Sequence, residues 1–225
     1  SLHDALPISA VSNEYGDIYV KSDERYLYLM VDTKNSDYDF NTDAIYIPID
    51  TLANQGNKTA KDYNLTFNKG ADFLIMINGA KNSHIYVDRY YDAFYYYFIK
   101  SRMLSDIPED KDSDKKNSGV FNQMRMCYGY HLTVPGSNKE VSDKVYETGK
   151  LQYGNANPDS KNYTSLTDFS YKNGKVEIRI PWQLLNVMDP SSKQQMDDFY
   201  ETQSITPKSF ESFSFGLGVQ KKDST

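Results

Sequence analysis

The sequence has little of several residue types that specify particular classes of protein. It contains one cysteine, Cys127, among 225 residues, which excludes a disulfide framework and a Cys-based zinc site within this chain. It has no apolar run of about 18 residues, the length that predicts a membrane-spanning helix. The net charge is −6 and no basic stripe is visible. This charge argues against a nucleic acid partner, because a protein that binds nucleic acid neutralises the phosphates with Lys and Arg side chains.

Aromatic side chains are abundant instead. The chain has 20 Tyr and 11 Phe, and aromatic residues make up 14% of it, which is too many for a disordered chain. A chain of this length forms one large domain or two small ones, and all-β sandwiches often reach this size as one domain. Since no internal repeat and no strong linker divide the chain, we predict a single domain over residues 10–225.

The first residues differ from the rest. The opening Ser-Leu-His-Asp-Ala-Leu-Pro-Ile resembles a translated sequencing-adapter read. We therefore expect residues 1–9 to be a non-native leader, to be set aside like a tag. The chain does not begin with Met, and its last residues read as a strand. We expect it to be a fragment of a longer protein.

Short strands dominate the hydrophobic pattern. Aromatic and aliphatic residues alternate in Tyr-Leu-Tyr-Leu-Met-Val over residues 26–31, and Val, Ile and Ile alternate with charges over residues 175–180. This period of two is typical of half-buried strands. The pattern predicts strands at 15–20, 25–33, 44–50, 72–78, 83–88, 121–134, 145–153, 175–180 and 213–219. The fold class that follows is mainly β, an antiparallel β-sandwich with one or two short helices.

The segment 90–103 fits two interpretations. Its aromatic content favours a strand, but Tyr91, Phe94, Tyr95 and Phe98 follow helical spacing. We predict a helix there. One helical turn is expected at 182–186 after Pro181, and a short helix at 194–201. Residues 51–64 and 105–119 are predicted to be loops.

Three stretches carry a family resemblance. Gly-Lys-Val-Glu-Ile-Arg-Ile-Pro-Trp-Gln-Leu-Leu, residues 174–185, resembles the final core motif of family 9 carbohydrate-binding modules and the related DOMON-like sandwiches, G-x-x-E-x-x-I-P-W-x-x-L. Residues 22–29 and 43–51 resemble earlier strands of the same families. The likeness covers residues 13–219. It implies a structural role for the motif residues Glu177, Arg179, Pro181 and Trp182.

The resemblance also implies a function. The implied function is that of a non-catalytic, extracellular β-sandwich module that binds carbohydrate or polysaccharide. The module would lie on the surface of a bacterium, next to other domains of the same longer chain. Sugar-binding members of the family clamp the sugar between exposed tryptophans. This chain has one tryptophan, Trp182, within the motif that packs the sandwich. A sugar platform here must therefore be built from tyrosine.

A tyrosine cluster suits that task. Five of the eight residues 90–97 are tyrosines, and tyrosine offers both a flat apolar face and a hydroxyl group. In a helix, Tyr91 and Tyr95 share the face that packs on the sheet. The remaining members, with two polar neighbours that can hydrogen-bond a sugar, are the candidate ligand-binding residues: Tyr90, Tyr96, Tyr97, Arg89 and Asp92. Core packing of the whole cluster stays open, as does a simple Arg89–Asp92 pair.

A structural metal ion is the cofactor that the sequence favours most. An Asn- and Asp-rich stretch contains three closely spaced carboxylates, Asp37, Asp39 and Asp43. Ca²⁺ prefers oxygen ligands, which such loops supply. The central Gly and closing Glu of an EF-hand are missing. Family resemblance leaves a structural Ca²⁺ open, and solvated, turn-forming aspartates are the alternative.

Catalysis has weak support. A glycoside hydrolase needs two facing carboxylates, and we expect Glu177 to pair with Arg179 on one strand face instead. No Ser-His-Asp signature or G-x-S-x-G elbow occurs. Two alternatives to carbohydrate binding remain. The first is a structural or interaction module that orients neighbouring domains of a cell-envelope protein, and the less favoured one is a glycoside hydrolase.

Overall fold

Antiparallel strands form most of the protein. The computed structural model describes residues 8–221. The predicted leader therefore lies outside the described residues, except for Ile8 and Ser9, which begin the first strand. The strands are β1 Ile8–Asn13, β2 Gly16–Ser22, β3 Tyr26–Asp32, β4 Asp43–Asp50, β5 Asn57–Ala60, β6 Leu65–Ala71, β7 Phe73–Ile77, β8 His84–Asp88, β9 Phe121–Gln123, β10 Arg125–Gly129, β11 Leu132–Thr133, β12 Glu140–Val141, β13 Lys144–Glu147, β14 Phe169–Lys172, β15 Lys175–Pro181, β16 Val187–Asp189, β17 Gln194–Met196, β18 Pro207–Ser209, β19 Ser214–Phe215 and β20 Gly218–Lys221.

Two large sheets carry the fold. The first has five strands in the order β1-β2-β3-β15-β14. The second has six strands, in the order β19-β4-β7-β8-β9, with β20 also paired to β4. All of these pairings are antiparallel. The predicted fold class, mainly β and sandwich-like, is confirmed.

The two sheets share one hydrophobic core. In β3 and β15 every second side chain is buried, as the alternation in the sequence predicted. These side chains meet the inward residues of the second sheet in one continuous cluster. Its members include Ile18, Leu29, Val31, Val176, Ile178 and Ile180 from the first sheet and Ile45, Ile47, Phe73, Ile75, Ile85 and Val87 from the second.

The outer face of the second sheet is partly covered as well. The β5–β6 hairpin packs Tyr63, Leu65 and Phe67 against a second cluster that contains Tyr46 and Tyr86. This hairpin occupies part of the stretch 51–64 that the sequence predicted to be a loop. The sequence did not indicate β5, because Asn57 and Lys58 are residue types that are depleted in strands.

Pro48 marks an irregularity in the second sheet. We predicted a sheet edge or a bulge there, and β4 is instead an interior strand. The backbone oxygen of Pro48 accepts a hydrogen bond from the Gly216 N–H, 2.9 Å away. The N–H that proline lacks would face the same neighbour. Opposite it, the edge strand is interrupted between Phe215 and Gly218.

Helical segments are short. The predicted helix at 90–103 is a 3-10 turn, Arg89–Tyr91, followed by a helical stretch that ends in the π-helix Tyr95–Lys100. The predicted turn after Pro181 is the 3-10 helix Trp182–Leu185. The α-helix Phe199–Thr202 lies at the end of the stretch 194–201, whose first part is β17 instead. The predicted long strand 121–134 is divided into β9, β10 and β11.

The motif tryptophan packs the sandwich, as its position in the motif predicted. Trp182 is 8% exposed, and its ring meets Phe213 edge-on. The indole Nε1–H donates to the backbone oxygen of Asp23 at 2.8 Å. The motif is thereby tied to the β2–β3 turn, the first of the three stretches that carry the resemblance.

Buried aspartates fix the ends of the central strands. The Asp72 carboxylate accepts hydrogen bonds from the backbone N–H groups of Thr51 and Leu52 at 2.7 and 2.8 Å. Asp88 accepts from Asn57 Nδ2 at 2.9 Å through Oδ1, while its Oδ2 is buried without a partner in the described chain. Burial raises the pKa of Asp88 to about 8. Asp88 is therefore largely protonated at neutral pH.

Replacing Asp88 with asparagine tests this protonation state. The native state retains the Asp88 proton up to a pH of about 8, whereas the unfolded state loses it near pH 4. Stability should then fall by roughly 1.4 kcal/mol for each pH unit in that interval. Since the asparagine amide stays neutral, Asp88→Asn should match the wild type near pH 4 and exceed it by a few kcal/mol at pH 8. Urea unfolding at both pH values measures the difference, with the exposed Asp159→Asn as control. An equal difference at both pH values would refute the assignment.

Gly174 is required by the β14–β15 turn. It has a φ of +71°, and an added Cβ would lie 1.9 Å from the backbone oxygen of Asn35. We expect Gly174→Ala to lower the free energy of unfolding by at least about 2 kcal/mol. The control is Gly218→Ala in β20, where an added Cβ meets no atom within 4 Å. Chemical denaturation measures the free energy of unfolding of both variants. Similar losses of stability in the two would contradict the steric requirement for glycine at position 174.

Candidate functional site

The predicted tyrosine cluster lies mainly inside the protein. Tyr90 is 3% exposed, and Tyr91 and Tyr95 are also buried. The Tyr90 hydroxyl donates to both carboxylate oxygens of Asp198, at 2.7 and 2.9 Å. The Lys116 ammonium lies 5.2 Å from the centre of the Tyr90 ring. The expectation that Tyr90 lies on a ligand-binding surface is therefore corrected, since this side chain is used for packing.

Asp198 explains why Tyr90 turns inward. Its carboxylate also caps the helix Phe199–Thr202, accepting the N–H groups of Tyr200 and Glu201 at 3.1 Å. Burial by itself raises the pKa of Asp198, but the bonds from Lys116 and Tyr90 outweigh burial, so that the pKa lies below its ordinary value. Burial and the neighbouring Asp198 raise the pKa of the Tyr90 hydroxyl. The arrangement is a buried, charged anchor for the helical segments.

The two other predicted tyrosines differ from each other. Tyr96 is half-buried, with its ring centre 5.2 Å from Phe199 and 5.4 Å from Tyr200. Tyr97 is 51% exposed and meets Phe98 edge-on. Within the cluster, only Tyr97 offers an open ring face. The structure therefore does not bring Tyr90, Tyr96 and Tyr97 together as an exposed platform.

Arg89 and Asp92 also contact groups that the sequence did not indicate. The half-buried Arg89 donates through Nη1 to Asp110 at 3.1 Å rather than to Asp92. Asp92 is buried and accepts from Asn122 Nδ2 at 2.8 Å and from the Tyr95 N–H at 3.0 Å. Burial raises the pKa of Asp92. The Asp92 carboxylate has no open side for a sugar, which corrects its predicted role.

The three candidate calcium ligands form no metal cluster. Within residues 8–221 no three His, Cys, Asp or Glu side chains lie together so that they could hold a metal ion. Asp39 accepts hydrogen bonds from its own turn, including the Asn41 N–H at 3.0 Å and the Thr42 hydroxyl. These bonds, led by that of Thr42, lower the pKa of Asp39. Asp37 is exposed and Asp43 half-buried, so the structure does not assemble a ligand set from Asp37, Asp39 and Asp43.

A groove lies on the outer face of the five-stranded sheet, away from the predicted cluster. It has a volume of about 520 Å³. Its floor is the outward side of β2, β3, β15 and β14, and residues 155–157 and 167–168 form its wall. We term it the sheet groove. The outward side chains that line it are Tyr19, Lys21, Tyr28, Met30, Ser170, Glu177 and Arg179.

Strand register arranges these side chains in two rows. In one row Tyr19 lies opposite Met30, which lies opposite Glu177. In the next row Tyr28 lies between Lys21 and Arg179. Neighbouring strands are about 4.8 Å apart, so each row spans on the order of 10 Å. The two rows form a surface in which each aromatic ring lies beside charged side chains.

Tyr28 and Arg179 are held in position. The Tyr28 hydroxyl donates to the Asp23 carboxylate at 2.8 Å. Burial, together with this bond, raises the pKa of Tyr28 to about 12, so the hydroxyl keeps its proton at neutral pH. The Arg179 guanidinium donates to the backbone oxygen of Ser165 and lies 5.1 Å from the centre of the Tyr26 ring. Both side chains therefore present a fixed geometry to the groove.

Glu177 and Asp168 supply the carboxylates. The predicted Glu177–Arg179 pair does not form, and the exposed Glu177 carboxylate has no hydrogen-bond or ion-pair partner in the described part of the chain. Asp168 accepts the Gln152 N–H at 2.8 Å, and burial raises its pKa. Asn155 and Asn157 add amide groups at the wall. The groove thus combines ring faces with hydrogen-bond donors and acceptors of several kinds.

The sequence contained a signal for this groove. The alternation in β3 that predicted buried Leu27, Leu29 and Val31 also places Tyr26, Tyr28 and Met30 on the opposite face. Glu177 and Arg179, for which the resemblance implies a structural role, lie on the outward face of β15 beside the same tyrosines.

No helix in residues 8–221 is long and apolar enough to cross a membrane.

Tyr90→Phe tests the packing role of Tyr90. The variant keeps the ring but removes the hydroxyl that donates to Asp198, a bond to a charged acceptor worth roughly 1.5–3 kcal/mol. We expect the free energy of unfolding to fall by that amount. Tyr97→Phe removes a hydroxyl from an exposed ring and should change stability by less than about 0.5 kcal/mol. Thermal and urea unfolding of both variants measure these changes. An unchanged free energy of unfolding in Tyr90→Phe would show that the buried hydrogen bond contributes nothing to stability.

Comparisons with known proteins identify no relative from which a role could be transferred. A scan against protein-family models, a search of curated proteins and a search of solved structures each give no match to this chain.

Proposed function

We propose that the protein is a non-catalytic β-sandwich module that binds carbohydrate, and that the sheet groove is its binding site. The observation that carries the proposal is the lining of this groove, where Tyr19, Tyr28 and Met30 offer apolar surface next to charged side chains. A sugar ring has an apolar C–H face and a rim of hydroxyl groups. A tyrosine ring stacks on the apolar face, and polar side chains at its edge hydrogen-bond the rim.

The polar groups of the groove suit the rim hydroxyls. The unpartnered Glu177 carboxylate accepts hydrogen bonds, and the guanidinium of Arg179 donates them. Since Arg179 is already held by Ser165 and the Tyr26 ring, ordering it on binding costs little side-chain entropy.

We propose a location outside the cell, on the surface of a bacterium, with further domains of the same longer chain as neighbours. The support for this location is the family resemblance of the sequence, together with the proposed polysaccharide ligand. The second candidate function is a structural or interaction module that orients such domains. The observation in its favour is that the tyrosine-rich segment at 90–97 is used largely for internal packing.

Titration against a panel of neutral and acidic polysaccharides tests the proposal. Calorimetry on the whole chain should detect saturable binding to at least one of them. We expect Tyr19→Ala and Glu177→Gln each to weaken that binding about tenfold, which corresponds to roughly 1.4 kcal/mol. The matched control is Tyr128→Ala in β10, which removes a ring that is 65% exposed on a different surface. This control should bind like the wild type.

Three outcomes would overturn the proposal. If the folded wild type binds no member of the panel, the structural module is favoured. Equal losses in Tyr19→Ala and Tyr128→Ala would show that binding does not use the sheet groove. Release of reducing ends from a bound polysaccharide, lost in Glu177→Gln, would show that the groove hydrolyses its ligand instead of only binding it.

A further inference from the structure

A histidine between two carboxylates joins separate segments of the chain. His131 comes directly before β11, and its ring Nδ1 lies 3.1 Å from Asp106 Oδ1, while Nε2 lies 2.9 Å from Glu140 Oε2. Asp106 belongs to the loop after the π-helix, and Glu140 begins β12. Asp143, in the short connection from β12 to β13, contacts the same group. We term these four residues the histidine clasp.

The position of the two carboxylates fixes the charge of the ring. A neutral imidazole has one N–H donor, and its other nitrogen only accepts hydrogen bonds, as a carboxylate oxygen does. Both ring nitrogens of His131 face carboxylate oxygens. The two bonds can therefore form together only when both nitrogens carry protons, which makes His131 an imidazolium cation. In the neutral ring, one nitrogen lone pair would lie against a carboxylate and weaken the contact.

Asp143 closes the clasp through backbone groups. Its Oδ1 accepts the His131 N–H at 2.6 Å, and its Oδ2 accepts the Asp106 N–H at 2.9 Å. In return, the Asp143 N–H donates to Asp106 Oδ2 at 2.7 Å. Three carboxylates thus surround one ring, and within residues 8–221 no lysine or arginine forms an ion pair with them. The proton on His131 supplies the positive charge that offsets their mutual repulsion.

The segments that the clasp joins also share an apolar cluster. It consists of Phe94, Tyr95, Ile99 and Leu104. Ile107 of the loop packs against this cluster, and so do Cys127 of β10 and Val145 of β13. Since Asp106 lies between Leu104 and Ile107 in the sequence, the clasp holds the part of the loop that packs in the cluster. We term the paired strands β10 and β13 the ribbon.

We propose that the histidine clasp is a pH-sensitive device, which holds the segment 104–107 against the ribbon while His131 is protonated and loosens when His131 loses its proton. The hydrogen bonds to Asp106 and Glu140 raise the pKa of His131 above its ordinary value of 6.5. A group whose pKa is raised by folding stabilises the folded arrangement fully below its unfolded-state pKa, and this contribution is lost as the pH rises through the folded-state pKa. The clasp is therefore closed from about pH 4, below which its carboxylates are protonated, to about pH 6.5, and it opens as the solution becomes alkaline.

The device needs no unfolding of the sandwich. The His131 side chain is 37% exposed, so it exchanges protons directly with solvent. Exposed ion pairs are individually weak, which suits a contact that opens and closes at nearly neutral pH. Histidine is the side chain whose ordinary pKa lies in that range. The clasp shares no residue with the lining of the sheet groove, so this inference is independent of the carbohydrate proposal.

An NMR titration of the histidine ring protons in the whole chain tests the charge, and the signal missing from His131→Gln assigns the resonance. We expect His131 to titrate above pH 6.5. Glu140→Gln should lower the His131 pKa, because the amide removes one of the negative charges that favour the cation. Asp159→Asn, which neutralises an exposed carboxylate outside the clasp, should leave that pKa unchanged. A His131 pKa at or below 6.5 in the wild type, or equal shifts in the two variants, would overturn the proposal.

The reactivity of Cys127 tests the opening. This single cysteine is half-buried beside the cluster, so its rate of alkylation by iodoacetamide reports how often the ribbon separates from the loop. His131→Gln stays neutral at every pH, and comparing it with the wild type at the same pH cancels the effect of pH on the thiol itself. The variant should react roughly two- to tenfold faster than the wild type at pH 6 and equally fast at pH 9. A rate ratio that is the same at both pH values, whether one or larger, would show that the proton on His131 does not control the contact.

Discussion

The shared core between the two sheets constrains everything else in this protein. Each strand in the sandwich gives one face to that core and has one face left. Ile178 and Ile180 are buried because they face the second sheet, and Glu177 and Arg179 are available because they do not. A ligand site on such a framework must be on an outer face, at a sheet edge or in a connecting loop. The sheet groove follows this rule, since its floor is an outer face.

The polar interior is organised around strand ends. Asp72 and Asp88 satisfy backbone and side-chain donors where β7 begins and β8 ends, and Asp198 holds Tyr90 and the start of an α-helix. Each carboxylate lies where a regular element stops and leaves N–H groups without partners. This explains how a chain rich in Asp and Tyr builds a stable interior. The same residues that suggest ligand chemistry in the sequence are used here to terminate elements.

The sheet groove is a broad surface built from adjacent strands, with rings and charges side by side in fixed rows. The register of three strands, and no single loop, determines which side chains meet there. Such a surface suits an extended ligand with many hydroxyl groups.

Alternation along the chain was enough to predict the fold class and most strand positions, because a period of two reports directly which faces are buried. The packing role of Trp182 was an expectation from the family resemblance. The helical spacing at Tyr91 and Tyr95 was also readable. The contact between Tyr90 and Asp198 could not be predicted, since the two residues are 108 positions apart in the sequence. The surface of the sheet groove depends on the packing of distant segments. Tyr19, Met30 and Glu177 come from three strands, and only the antiparallel register of β2, β3 and β15 brings them into one row.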